Sequence, residues 1–150
     1  MSVADNAING VPACVNKELL AGKLRGDFGF TGVVATDCGA LADVINAHNY
    51  SQNGVDTVTM AIQAGVDSNC GSEFGTFMPA AMGLVGHNPQ PFTHKKTVND
   101  STLAASARRL LALRLRLGLF EPNASAVPKF GLDDVDSDAH RALALKQARQ

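Results

Sequence analysis

Two short apolar runs in this chain each arrive at an acid and a cysteine, "GVVATDC" at residues 32–38 and "GVDSNC" at 65–70. A helical pattern follows each of them. Strands that alternate with helices feed right-handed crossovers into a parallel sheet, so the pattern sets the fold class as α/β. It also raises a question about Asp37. Val33, Val34 and Ala35 carry the chain into a core, and a carboxylate stranded there without partners is costly. Asp37 is therefore satisfied locally, exposed at the strand end, or used in chemistry.

The surrounding elements follow from periodicity and punctuation. Asn16 to Arg25 reads as a helix, with Asn16 as N-cap, Leu19, Leu20 and Leu24 on its apolar side, and Gly26 as its stop. The strand spans Thr31 to Asp37. Ala40 to His48 is a helix with Leu41, Val44 and Ile45 at helical spacing. Asp56 to Ala64 is another, closed by Gly65, and Val66 starts the second strand. Phe77 to Val85 reads as a short apolar helix, and residues 87–96, HNPQPFTHKK, as loop. Ser101 to Leu117, capped by Asn99 or Asp100, is the clearest helix. Its leucines surround much of it, which implies cover on more than one side. Arg108, Arg109, Arg114 and Arg116 crowd its C-terminal half, where positive charge suits the helix dipole and an interdomain face better than an anion site. EPNASAVPKFG is linker by composition. Ser137 caps a last helix that begins at Asp138 and is still running at Gln150. Ser2 to Ala4 offers a third strand.

Length and charge narrow the classes. The 150 residues suit one domain by size. Yet two or three parallel strands do not make a self-sufficient sheet, and a closed eight-stranded barrel needs roughly 200 residues or more. The expectation is the last part of a barrel, a linker and the start of a second domain, cut from a longer chain. Apolar residues make up 45%, which is ample for a core, and the net charge of −1 comes from 13 basic and 14 acidic residues spread along the chain. That balance argues against a nucleic-acid surface, which needs a basic stripe. No window approaches the length of apolar sequence needed to span a membrane. MSVADNAING lacks the basic and apolar regions of a signal peptide. Cys14, Cys38 and Cys70 match no zinc spacing. His48, His87, His94 and His140 show no ligand spacing and read as surface or loop histidines. GLVG at 83–86 has too few glycines for a phosphate loop.

Five stretches in order, "NAINGVPAC", "LRGDFGFTGVVATDC", "AGVDSNCG", "RRLLALRLRLGLFEP" and "AHRALALKQARQ", together resemble glycoside hydrolase family 3. They are most similar to its β-xylosidase branch, which includes α-arabinofuranosidase activities. The resemblance implies a (β/α)8 TIM-type barrel followed by an α/β sandwich, with the active site between them. Residues 1–121 would be the C-terminal portion of the barrel, 122–136 the linker and 137–150 the first helix of the sandwich. It implies retaining, exo-acting hydrolysis of terminal β-linked xylose, or of arabinose or glucose, from chains such as xylan, with no metal or cofactor. The family's nucleophile is the Asp of a Ser-Asp-Trp or Ser-Asp-Cys motif. Here that motif reads Thr36-Asp37-Cys38, so Asp37 takes the role. The acid/base Glu belongs to the second domain, beyond Gln150, so the chain alone is expected to be inactive.

Two positions depart from the family pattern. Ala4-Asp5-Asn6 stands where Ser-Tyr-Asn is usual, which puts an acid at a substrate-binding position, and Gly39 stands where the branch often has Asp. The Asp5 departure favours a second reading, a member that binds sugar without turnover or only keeps the fold. A third is an unrelated barrel enzyme with Asp37 as base. For Asp37 alone, the plainer role is to cap the helix at Ala40, and the flanking motifs favour the nucleophile. Asp67 is a candidate sugar contact, but capping or turn formation weighs more. Glu73 reads as a solvated loop residue. Cys38 and Cys70 lie just beyond what would be adjacent strands, about 4.8 Å apart, so a disulfide can join them. Cys14 would then be a free, buried thiol.

Asn49, Asn99 and Asn123 each head an Asn-X-Ser tripeptide, in keeping with a secreted parent. Expression in a glycosylating secretory host should give a protein that loses mass on enzymatic deglycosylation. An unshifted mass would remove that line of support.

Overall fold

The computed structural model describes residues 1–84, 97–120 and 130–150. The expected loop with His87 and His94, residue Val85 of the expected helix, and Asn123 lie outside the described residues. The chain divides into two compact units, Met1–Leu113 and Arg114–Gln150.

The first unit is mixed α/β. Three strands, β1 (Ser2–Val3), β4 (Ala35–Cys38) and β5 (Ser68–Cys70), form a parallel sheet in the order β1-β4-β5. A separate antiparallel pair, β2 (Ala7–Ile8) and β3 (Val11–Pro12), turns through Asn9 and Gly10, both at positive φ. A π-helix, Glu18–Asp27, leads towards β4. Asn16 accepts from Leu19 N–H at 3.0 Å, which is the expected capping contact. Gly26 does not stop this helix but lies within it. A Cβ at Gly26 would come within 3.4 Å of Ala21 O, so glycine suits the widened turn.

Helix α1 (Ala40–Asn46) follows β4, and α2 (Gly54–Ala64) precedes β5. Asn53 caps α2 by accepting from Asp56 N–H at 2.9 Å, so the helix starts ahead of Asp56. Gly65, at φ 107°, closes it. The ring of Phe77 lies against Gly54, where any side chain would collide with it. Helix α3 (Glu73–Ala81) begins a turn before the expected Phe77, with the Glu73 carboxylate in the first turn, where the helix dipole favours it. Helix α4 (Asp100–Arg116) is capped by Asn99, whose Oδ1 accepts from Thr102 N–H at 2.8 Å.

Two apolar clusters result. Val3, Cys14, Leu20, Val34, Leu41, Val44 and Val66 are buried around the sheet. Val55, Val58 and Ile62 pack with Ala81 and Val98 on the other side of α2. Their i, i+3, i+7 spacing puts the first three on one face of α2, while Ala61 and Ala64 belong to the cluster around the sheet.

The strand expected over Thr31–Asp37 is shorter than predicted, and the reason is ionic. Arg25 donates to Phe30 O at 3.3 Å, Gly32 O at 3.0 Å and Gly65 O at 2.8 Å. Its Nη2 also meets Asp67 Oδ2 at 2.8 Å. Val34 N–H donates to that same carboxylate at 3.0 Å instead of to a neighbouring strand. Ladder pairing therefore begins only at Ala35. Arg109, from α4, reaches Asp67 Oδ1 through Nε at 2.8 Å and through Nη2 at 2.7 Å. The Asp67 side chain has 0% exposure, against 16% for Arg25 and 24% for Arg109. Burial lowers the Arg25 pKa from its ordinary value, and the Asp67 charge pulls it back up.

In the second unit, Gly118 at φ 69° follows the last turn of α4. A short 3-10 turn at Leu132–Asp134 leads to α5 (Asp138–Ala148). Ser137 Oγ caps α5 by accepting from His140 N–H at 3.4 Å, and Asp136 pairs with Arg141 at 2.7 Å on an exposed face. The helix stops at Ala148 rather than running through Gln150, where the last amides turn back to carbonyls three residues earlier.

Removing one member of a buried ion cluster leaves charge without a partner, a loss of roughly 3 to 5 kcal/mol. Asp67→Ala should therefore lower the stability of the chain by that amount in chemical denaturation. Lys23→Ala, which breaks an exposed pair with Asp27, should change it by less than about 1 kcal/mol.

Candidate active site

Parallel strands point the same way, so β1, β4 and β5 end on one edge of their sheet. Asp37 stands on that edge. Its side chain is exposed, and Oδ1 accepts from Cys38 N–H at 2.8 Å. The core anchors the strand beneath it: Val34 is 0% exposed and Thr36 is 3% exposed. Thr36 Oγ1 accepts from Cys70 N–H at 3.2 Å, which ties β4 to β5 below the carboxylate. Asp37 does not cap α1. The N-cap position is Gly39, at φ 85°, with no side-chain cap. Of the three fates open to Asp37 in the sequence, exposure at the strand end and a local amide contact are both observed.

Cys38 and Cys70 face each other across β4 and β5 and are joined by a disulfide, with Cα atoms 4.3 Å apart. Gly39 N–H donates to Cys70 O at 3.0 Å just beyond it. The register shifts between these residues. Ala35 faces Ser68 and Cys38 faces Cys70, so Thr36 and Asp37 together oppose Asn69 alone. Such a bulge bends a strand and re-aims its side chains. Asp37 is one of its two residues.

Cys14 is free and buried, and its thiol points at Ala40 O at 3.6 Å. Burial pushes its pKa up to about 11, with smaller contributions from the Asp5 and Asp43 charges.

Asp5 follows β1, whose Val3 is opposite Thr36, so it lies on the same edge as Asp37. Its carboxylate Oδ1 is buried without a hydrogen-bond partner. Its backbone carbonyl accepts from His48 Nε2 at 2.8 Å. His48 is thus not a bland surface histidine; it fixes the turn that carries Asp5. Glu73 is also drawn in. It is half-buried at the start of α3 rather than solvated in a loop, and Oε2 accepts from Asn69 Nδ2 at 2.7 Å.

Asp67 requires correction. It precedes β5 instead of ending it, so it lies at the opposite end of the sheet from Asp37. Neither capping nor sugar contact describes it. Both carboxylate oxygens are engaged by Arg25, Arg109 and Val34 N–H, and no surface is left for a ligand. Arg109, read in the sequence as part of a dipole-compensating face, is its second cation. Asn49 and Asn99 are both exposed. Among the described residues, no group of three or more His, Cys, Asp or Glu is placed to hold a metal ion, and no helix is long and apolar enough to cross a membrane.

An exposed carboxylate at the C-terminal end of a parallel strand, braced from below, is the arrangement in which α/β enzymes carry reactive groups. The family model "Glycosyl hydrolase family 3 N terminal domain" matches residues 1–76, a stretch that contains Asp5, Asp37, Cys38, Asp67 and Cys70. The chain belongs to glycosyl hydrolase family 3. It is 37% identical over 147 residues to probable beta-D-xylosidase 6 of Arabidopsis thaliana, covering 97% of this chain and 17% of that protein. It is 33% identical over 149 residues to exo-1,4-beta-xylosidase bxlB of Emericella nidulans, covering 97% of this chain and 18% of that one. The fold superposes on a beta-glucosidase from Listeria innocua in complex with glucose, with a TM-score of 0.77, 28% identity, and 95% and 18% coverage. It also superposes on a GH3 exo-beta-xylosidase in complex with a xylobiose aziridine activity-based probe, with a TM-score of 0.68, 30% identity, and 83% and 15% coverage. The chain thus spans less than a fifth of the length of these relatives.

The thiol arrangement has a direct chemical check. Native chain should resist alkylation at pH 8, because the two exposed cysteines are bonded and the third is buried and protonated. Denaturation without reductant should admit one alkyl group, at Cys14, and reduction should expose all three cysteines. Alkylation of Cys38 or Cys70 before reduction would contradict the pairing.

Proposed function

We propose that this chain is part of a retaining exo-glycosidase, with Asp37 as its nucleophile. The substrate is a terminal β-linked xylose, or arabinose or glucose, at the end of an oligo- or polysaccharide such as xylan. The observation that carries this reading is the exposed Asp37 carboxylate at the end of β4, inside the segment that matches the family. A nucleophile must stay ionised, so it needs hydrogen-bond donors and access, not an apolar pocket. Cys38 N–H supplies one donor. Asp37 would attack the anomeric carbon and form a glycosyl ester while a second carboxyl protonates the leaving oxygen; retaining enzymes keep the two roughly 5 Å apart. Water then cleaves the ester with that second group acting as base.

In this reading, residues 1–121 are the C-terminal portion of a (β/α)8 barrel, 122–136 a linker, and 137–150 the start of a sandwich domain that supplies the acid/base Glu. The parallel order β1-β4-β5, with a helix after each of the last two strands, supports the barrel assignment. The sequons and the disulfide support a secreted parent, since such bonds persist in oxidising compartments. The names of the relatives support xylose as the sugar.

The buried, unpartnered Oδ1 of Asp5 favours the second reading, a sugar-binding member without turnover. One experiment separates the two. A xylose-configured aziridine probe, applied to a protein that joins this stretch to its sandwich domain, should esterify Asp37. Asp37→Asn should abolish labelling and lower turnover on the order of 10^4-fold or more. Sugar binding without any labelled carboxylate would select the second reading, and labelling at Glu73 would overturn the assignment. The 150-residue chain alone should hydrolyse no aryl xyloside; robust hydrolysis would place the acid/base within it.

A further inference from the structure

The ties at the C-terminal end of β4 centre on Cys38. The bulge leaves Thr36 and Asp37 opposite a single residue, and an unpaired extra residue weakens the ladder where it sits. Below the bulge, Ala35 and Ser68 are held by the sheet and by the Asp67 ion cluster. Above it, β4 and β5 both end, at Cys38 and Cys70. The covalent bond lies where the two strands part. The N–H that orients the Asp37 carboxylate belongs to Cys38 itself, at 2.8 Å.

Resting on the reading of Asp37 as nucleophile, we infer that the Cys38–Cys70 disulfide is a redox-sensitive latch that pins the bulge and thereby positions the Asp37 carboxylate. Both cysteines are exposed, so a dithiol reductant can reach them. One thiolate of the reductant attacks a cysteine sulfur and breaks the Sγ–Sγ bond. Its second thiol resolves the mixed disulfide. The reductant ends as a disulfide, and two electrons and two protons end on the Cys38 and Cys70 thiols. What remains is the Gly39 N–H bond to Cys70 O above the bulge and the Thr36 hydroxyl on Cys70 N–H within it. The far end of the strands is unaffected, because Arg25, Arg109 and Asp67 hold it without sulfur. Reduction should therefore loosen the Asp37 end and leave the sheet standing. In a turning-over enzyme, a misplacement of about 1 Å costs on the order of 100-fold in rate.

The test is nuclear magnetic resonance on the oxidised chain, on the chain kept reduced by excess dithiothreitol, and on the double variant Cys38→Ala, Cys70→Ala. Three-bond couplings report the Asp37 side-chain rotamer, and amide exchange is followed at positions 38 and 39 in all three forms. Val34 and Asp67 amides are the internal controls. The expected result is one Asp37 rotamer in the oxidised chain and averaged couplings in the other two. Exchange at positions 38 and 39 should rise at least about 10-fold there, while the controls hold. A single rotamer in all three forms would overturn the latch, as would averaging in all three. Loss of protection at Val34 and Asp67 would also overturn it, since the bond would then be a general staple. None of these readouts depends on turnover, so failure of the aziridine probe to label Asp37 would sink the nucleophile reading alone.

Discussion

A single buried carboxylate, Asp67, ties the larger unit together. Its two oxygens hold Arg25 from the π-helix, Arg109 from α4 and the amide of Val34 before β4, while its backbone carbonyl accepts from Ser106 Oγ at 3.2 Å. Three segments, the π-helix, the approach to β4 and α4, converge on it. Taking three charges out of water is expensive, and a cluster like this one is at best weakly stabilising against an apolar substitute of the same shape. Its value is directional. Asp67 N–H donates to Val34 O at 2.8 Å while Val34 N–H donates to the Asp67 side chain, and this reciprocal clasp sets Ala35 opposite Ser68. A slip of one residue would turn every strand side chain to the wrong face.

That register decides what appears at the other end of the strands. Beyond Ala35, Thr36 is buried and Asp37 exposed, and the one-residue shift in register then sets Cys38 opposite Cys70. The two ends of the same short strands are held by different physics. The lower clamp is ionic, buried and made of groups that must all be present. The upper clamp is covalent and exposed. At the lower end the carboxylate is fully buried and its two arginines are mostly so, while side chains at the upper end have access to solvent and are steadied through the backbone.

Much of this was legible in the sequence, and the misreadings share a cause. Helical spacing located α1, α2 and α4, and Gly65 and Gly118 marked helix ends that the backbone bears out with positive φ. The α/β class and the three strands followed from alternation. Strand boundaries did not, because the amide that should have begun the β4 ladder is taken by a side chain 33 residues away. Asp67 misled because "VDSNC" repeats the acid-then-cysteine pattern of "VATDC". The strand in the second case begins after the acid, not before it, which puts the two carboxylates at opposite ends of the sheet. Nothing local reveals that Arg109 is its partner 42 residues on. The cover expected around the leucines of α4 is also not observed: Leu103, Leu111, Leu113 and Leu115 are exposed, and Ser106 is the one buried residue of that helix. His48 was underrated for the same reason as Arg109, since its hydrogen bond to Asp5 O spans 43 residues; Glu73 is held locally, by Asn69 four residues earlier.

Asp37 and Asp67 differ in ways that favour Asp37 for the proposed role. Both sit at strand ends, and both accept a backbone N–H. Asp67 is locked between two guanidinium groups with no exposed surface, so its charge is spent on neighbours that never leave. An anion held that way is a poor nucleophile, since attack would strip it of its cations inside a medium that cannot replace them. Asp37 has one short amide contact and an exposed side chain, so in the proposed role a bond from it to carbon would remove little stabilisation. The strand beneath supplies rigidity through Val34 and Thr36 without touching the carboxylate oxygens. In the proposed role, reactivity at Asp37 would rest on separating two tasks. The buried acid fixes the frame and carries the cost of desolvation, which leaves the exposed acid free to react.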